Sequence, residues 1–426
     1  MNINSLIEFI LNRQGTNSFC VSALSNDPSL EKAVEEVCLK LKNSPNADMA
    51  IVLISSNFAS DYPRLLPLLK RKLKYKMLIG SAVGGVIGLN KNNSLQENFN
   101  VPSLSITLLK LPNSNIIPFH IPEDANMDMD NPCKVWKNCL NDFNKIDQSM
   151  NFCSAIMFVD PTMRIVDQLI GSFDFSFPKS NLIGGIATYH PFSYGSLFYD
   201  DKLCAGAIGF LICGEWGIET LVTKGVKPLG PILEVHSVQK NVIYKVKENN
   251  NLVSPVQFLQ NLIGELSLNE RDLLQQSLFL GVENKNLKIT NKGKLLHDGT
   301  FVVRDLLGID PTNGALAITD KLTVGQRVQF QSRDIEISQK EIELGIENML
   351  KKTGEKPILT FLLSCIGRST SGSGNNYGDL QSVNNLLGSI PLCGAFFQGE
   401  IGQINGNSHL HSYSSCWGLL VKRKNL

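Results

Sequence analysis

Apolar residues recur at Leu30, Ala33, Val34, Val37, Cys38 and Leu41, a spacing that lays one stripe along a helix. Asp27-Pro28 supplies an N-cap and a first-turn proline, Lys40 and Lys42 stand where the dipole favours cations, and Pro45 stops the helix. Met49 to Ser55 is a short continuous apolar run, the pattern of a buried strand, and Leu65 to Leu73 predicts a second helix. Met77-Leu-Ile-Gly-Ser-Ala-Val-Gly-Gly-Val-Ile-Gly88 then mixes glycine into an apolar run, which marks a strand that another backbone or a ligand approaches closely. Val101 to Leu109 closes the unit as a strand.

The same order returns twice. Ser154 to Val159, Arg164 to Phe173, Asn181-Leu-Ile-Gly-Gly-Ile-Ala-Thr188 and Gly206 to Cys213 form a second copy; Ile358 to Cys365, Leu380 to Leu387, Ile390 to Gly402 and Ser415 to Val421 form a third. The starts are about 100 and then about 200 residues apart, too far for a solenoid, so duplicated α/β layers fit better. Between copies two and three, Leu229 to Lys245 predicts an extended crossover and Lys245 to Asn251 a loop. Ser254-Pro255 with Gln257 starts a helix, Gly299 to Leu306, Ala315 to Thr319 and Val328 to Gln331 are strands, and Ser338 with Glu341 forms a capping box for another helix. The expected fold is α/β: two related domains, residues 1–240 and 241–426, each a mixed sheet against helices, with internal duplication.

The chain of 426 residues has ample apolar content for two cores, and a formal charge of +1 favours neither nucleic acid nor an anionic membrane as partner. Its ten cysteines show no metal-ligand spacing; Cys38, Cys153, Cys213 and Cys365 sit in apolar runs, as reduced core residues of a cytoplasmic protein do. Met1 to Gln14 lacks a basic n-region, and no apolar run reaches the roughly 18 residues of a membrane span.

Glycine-rich Ile79-Gly-Ser-Ala-Val-Gly-Gly-Val-Ile-Gly88, Leu182-Ile-Gly-Gly-Ile186 and Gly206-Ala-Ile-Gly-Phe210 resemble the N-terminal module of the FIST domains (F-box and intracellular signal transduction). Val303-Arg-Asp-Leu-Leu-Gly308, Gly325 to Asp334, Ser364-Cys-Ile-Gly-Arg368 and Pro391 to Gly402 resemble the C-terminal module. The resemblance implies a sensory module that binds small ligands, amino acids among them, and signals through a protein partner or its own surface.

Candidate chemistry concentrates in the third copy. Arg368 follows a buried strand and precedes a loop with Ser369, Ser371, Gly372, Ser373 and Gly374, suited to a carboxylate or phosphate; its structural alternative is a bridge to Asp379. Glu400, between glycines at a strand end, suits an ammonium group or a turn's backbone amides. Ser364, Cys365, Gln398 and Gly399 complete this set, Gly84 and Gly85 serve close packing or floor a pocket, and Arg333 is either an ion-paired strand end or a ligand contact. Placed in one cleft, Arg368 and Glu400 would clamp the two ends of a zwitterion.

The leading expectation is therefore non-catalytic binding of a small polar metabolite, with no cofactor and no metal. One alternative is an enzyme using Cys365 or Glu400 with His409; another is a protein-interaction scaffold. Cys365 lacks the glycine-flanked pattern of a nucleophile elbow, and His409 with His411 lacks a third placed metal ligand.

Overall fold

The computed structural model describes residues 18–90, 92–128, 130–140, 153–191, 195–283, 301–369 and 379–423. The chain forms two compact units. The first takes the chain to Thr223, then Ile342–Leu410 and the residues from Ser415 on; the second is Lys224–Glu341 with His411–Ser414. The compact units thus cut the chain differently from a division between residues 240 and 241.

The first unit contains three six-stranded sheets of identical strand order. Sheet one runs β1 (Phe19–Ser25), β6 (Leu104–Lys110), β2 (Ala47–Ser55), β3 (Tyr75–Val83), β10 (Leu197–Tyr199), β11 (Lys202–Cys204). Sheet two runs β7 (Ser114–Ile121), β12 (Ala207–Gly214), β8 (Cys153–Val159), β9 (Asn181–Ile186), β23 (Gly399–Ile404), β24 (Asn407–His411). Sheet three runs β13 (Trp216–Thr223), β25 (Ser415–Lys422), β21 (Leu359–Cys365), β22 (Leu392–Phe397), β4 (Gly85–Leu89), β5 (Leu95–Phe99). In each sheet the third and fourth strands are parallel, because a helix crosses between them. These helices are α2 (Tyr62–Lys72), α4 (Val166–Ser176) and α8 (Asp379–Leu387).

The three copies anticipated from the pattern are these three sheets. What periodicity does not convey is a cyclic exchange. The hairpin after each glycine-rich strand leaves its own sheet: β4 pairs with β22, β10 with β3, and β23 with β9. The inner faces of all three sheets meet in one core that includes Ile51, Ile79, Ile156, Ile183, Phe361 and Ala395. Helices cover the outer faces: α1 (Leu30–Leu41) and α2 on sheet one, α3 (Lys134–Cys139) and α4 on sheet two, α7 (Ile335–Thr353) and α8 on sheet three.

The second unit is a closed antiparallel barrel. Its order is β14 (Val226–Gln239), β20 (Arg327–Arg333), β17 (Phe279–Glu283), β18 (Phe301–Asp310), β19 (Ala315–Ile318), β15 (Val242–Glu248); β15 pairs back to β14 and also carries the short β16 (Asn251–Val253). Phe258 from α5 (Pro255–Glu265) stacks on Phe330 in its core.

Several local expectations change. Ser29, not Asp27, is the N-cap of α1, while the Asp27 carboxylate accepts the Ser29 amide. Ser338 does not open α7: Asp334 accepts the Ile337 amide, and Glu341 instead accepts the Lys224 and Gly225 amides. A capping box forms at Ser267 and Glu270, ahead of α6 (Leu268–Gln276). Cys153 and Cys213 are not reduced thiols. They are direct partners on β8 and β12, with Cα atoms 4.7 Å apart, and form a disulfide. No described helix is long and apolar enough to cross a membrane.

Candidate functional site

Equivalent positions in the three sheets show what the fold itself requires. Gly80, Gly184 and Gly394 occupy one position, opposite Val52, Met157 and Leu362 on the parallel neighbour. Each faces a large apolar residue on the exchanged strand: Phe198, Ile401 and Ile87. A Cβ at Gly394 would lie 2.9 Å from the Ile87 Cβ, and one at Gly184 would fall on the Met157 carbonyl oxygen. These glycines therefore serve the exchange of strands. Gly85 likewise has no room beside the Asn98 carbonyl, a Cβ at Gly185 would sit 2.5 Å from the Phe397 ring, and one at Gly84 would sit 2.8 Å from Ile366.

The next position on the exchanged strand points into the central core. It is Leu197 in sheet one and Val86 in sheet three, but Glu400 in sheet two, opposite Gly185. Glu400 is fully buried. The fold accepts an aliphatic side chain there, so the carboxylate answers to something besides packing.

A second polar departure lies at the ends of β21 and β25. The pairs Ile54–Leu104 and Val159–Ala207 correspond to Ser364–Ser415 in sheet three. The two serine hydroxyls lie 2.8 Å apart. Ser415 Oγ donates to Asp379 Oδ2 at 2.6 Å and Ser364 Oγ to the same atom at 3.3 Å. Arg368, in a turn of 3-10 helix after β21, donates from Nη2 to Asp379 Oδ1 at 2.8 Å and from Nε to Oδ2 at 3.4 Å. Its side chain is 0% exposed and that of Asp379 6%, so this is a buried ion pair braced by two hydroxyls.

Ser364 and Ser415 alternate with Leu363 and Cys416, which face the central core, so they turn with Asp379 toward the helix-covered face. Glu400 lies on the central-core side, acting on the Cys416 thiol. Arg368 therefore gives its fork to Asp379, the structural alternative named from the sequence. Burial, then the Glu400 charge and then Cys365, push the Cys416 thiol well up, against a smaller pull from Arg368.

Cys365 is buried at the end of β21, Gln398 is exposed with its amide donating to Ile186 at 3.0 Å, and Gly399 pairs with Ile186. Arg333 belongs to the barrel unit. Its guanidinium carbon lies 5.5 Å from the Phe279 ring centre and 5.1 Å from that of Tyr413. Burial raises Asp305 nearby, opposed by a Tyr413 hydrogen bond and by Arg333. His409 is half-buried and His411 buried on β24; among the described residues no group of three or more metal-ligating side chains is assembled. The Ser/Gly stretch Ser371 to Gly374 lies outside the described residues. Sequence reasoning missed Ser415; aligning the three copies by strand register would have exposed it.

Family comparison follows the same sequence segments. The FIST N domain model matches residues 48–248 and the FIST C domain model residues 255–403. An uncharacterised protein of Mycobacterium tuberculosis is 28% identical over 269 residues, 62% of this chain and 67% of that protein. One from Mycobacterium bovis is 32% identical over 227 residues, 53% of this chain and 56% of its own length. Among solved structures, PurLQS from Thermotoga maritima aligns with a TM-score of 0.20 and 8% identity, covering 95% of this chain and 72% of that one.

Proposed function

Since the chain belongs to the FIST family and carries both its N and its C domain, we propose that it is a sensory protein that binds a small polar ligand without transforming it. FIST domains are associated with signal transduction and small-ligand sensing. The observation that carries the reading here is the departure of one copy from the other two. Where its equivalents are Leu197 and Val86, the fully buried Glu400 puts a carboxylate into a shared apolar core. A carboxylate suits an ammonium group because it offers only acceptors. Amino acids are the simplest ligands of that chemistry. Arg368, Asp379, Ser364 and Ser415 then hold the end of β21 beside it as a rigid support. The adjacent Cys416 thiol is pushed well above its ordinary range by burial, which favours binding over thiolate chemistry.

A thermal-shift screen of amino acids and small amines tests this. A ligand at about 100 times its Kd adds about 2.7 kcal/mol, or about 3 °C in a chain of this size. The shift is expected for the wild type and lost in Glu400→Gln. No shift with any compound, a shift that survives Glu400→Gln, or turnover of the ligand seen by NMR would overturn the reading.

A further inference from the structure

Charge is also distributed unequally among the three copies. From the last turn of α2 into β3 the chain reads Leu69-Lys-Arg-Lys-Leu-Lys-Tyr-Lys76, and Lys70, Arg71, Lys72, Lys74 and Lys76 are all exposed. The corresponding passage after α4 carries only Lys179, and the one after α8, Gly388 to Pro391, carries no cation. Cations at a helix C-terminus offset its dipole, but the other two helices end without such a cluster, so the fold does not require it. In a chain of net charge +1 this is a local concentration of positive charge.

The cluster borders an open groove of about 820 Å³, lined in part by Lys70, Lys74, Lys76, Tyr75, Asp200 and Asp201. Tyr75 is half-buried, and Asp200 and Asp201 form the turn between β10 and β11. Lys76 is partly matched by Asp48 at 2.6 Å, and Asp200 and Asp201 match Lys70 and Lys74 in number along the groove, so the excess positive charge of the patch is that of the neighbouring exposed Arg71 and Lys72.

We propose that this groove docks an acidic polypeptide segment of a partner protein. The lysines supply the countercharge, and Tyr75 offers an amphipathic surface of the kind enriched in protein interfaces. Asp200 and Asp201 set the direction of the bound segment, favouring a basic residue or a free amino terminus at their end and repelling a continuous line of phosphates. No large apolar side chain between Leu66 and Lys76 is exposed, so the cluster offers no anchor to a bilayer. The site is separate from Glu400, so the proposal stands or falls independently of the ligand reading.

Fluorescence anisotropy with a labelled Glu/Leu-rich peptide bearing one amino-terminal Lys is the test. The wild type is expected to bind it, with affinity falling as salt rises past about 0.1 M, where exposed charges are screened beyond about 10 Å. Lys70→Glu/Lys74→Glu should weaken binding about tenfold or more with an unchanged melting curve, since both residues are exposed. The same variant should gain binding to a Lys/Leu-rich peptide. Asp200→Asn/Asp201→Asn should erase the preference for the terminal Lys. The proposal is overturned if the acidic peptide binds no better than a Ser/Leu-rich one, or if the lysine reversal leaves affinity unchanged. It is equally overturned if phosphatidylserine vesicles or single-stranded RNA, and not the peptide, bind in a Lys70- and Lys74-dependent way.

Discussion

Asp379→Asn removes the countercharge of a guanidinium that is wholly enclosed. Leaving one member of a buried pair uncompensated costs about 3–5 kcal/mol. Asparagine keeps an oxygen for the Ser415 and Ser364 hydroxyls, so those bonds, worth about 1 kcal/mol each, survive in part. Asp379→Ala forfeits them as well and should be the more damaging change. At roughly 1 °C per kcal/mol for a chain this large, Asp379→Asn should lower the Tm by about 3–5 °C. Arg368→Met should cost less, because Asp379 retains two hydroxyl donors. The double variant Arg368→Met/Asp379→Leu should be more stable than the sum of the single losses by about 1–3 kcal/mol, since no charge is left stranded. Differential scanning calorimetry of the wild type, Arg368→Met, Asp379→Leu and the double variant measures this coupling directly. If Asp379→Asn melts within about 1 °C of the wild type, or the two losses simply add, the buried-pair account would be refuted. A normal melt for Arg368→Met with ligand binding lost would instead return the guanidinium to the ligand.

Two other expectations concern local structure. Gly85→Val pushes a side chain onto the backbone of Asn98 and Phe99, which cannot rotate aside, so overpacking should cost about 1–3 kcal/mol and about 1–3 °C of Tm. Gly171→Ala, on an exposed face of α4 with nothing within 4 Å, should stabilise by up to about 1 kcal/mol, and shifts of the same sign would sink the packing argument. In the barrel unit, hydrogen bonds from Lys227 and then Ser267 hold Glu270 down at about 2. Its folded value lies below the unfolded one, so its contribution is present above about pH 4.3 and fades as pH falls toward 2. Lys227→Met should move the Glu270 carboxyl titration upward in a carbon-detected NMR series; an unmoved midpoint would show that Lys227 is not the cause.

Local pattern was most legible where one face decides the outcome. The apolar stripe from Leu30 to Leu41 and the runs Met49 to Ser55, Ser154 to Val159 and Ile358 to Cys365 became α1, β2, β8 and β21, with bounds shifted by one or two residues. The glycine-rich strands were recognised as sites of close approach, but not what approaches. Gly80 says only that a side chain is unwelcome; that Phe198 fills the space depends on a strand more than a hundred residues away. The barrel was hidden for a similar reason, since its closure rests on β15 returning to β14 across the ring. At the site, charge beside a buried strand singled out Arg368 and Glu400. That Glu400 sits on a strand that has crossed into another sheet could not be told.

The exchange of strands also has a consequence in time. β4, β9 and β13 are complete once the ribosome has passed Thr223, yet their partners β22, β23 and β25 lie beyond Gly399 or close before it. At about 5–20 residues per second, synthesis of the roughly 200 residues from β13 to β25 takes about 10–40 s. For that interval sheet two stands with β9 as an open edge, and β13 and the β4–β5 hairpin wait for the strands that join them into sheet three, surfaces by which nascent chains pair with the wrong neighbour. Each chain must therefore pass through a vulnerable childhood that a helper able to shield strand edges would shorten, and a release of the first 240 residues alone would prolong indefinitely.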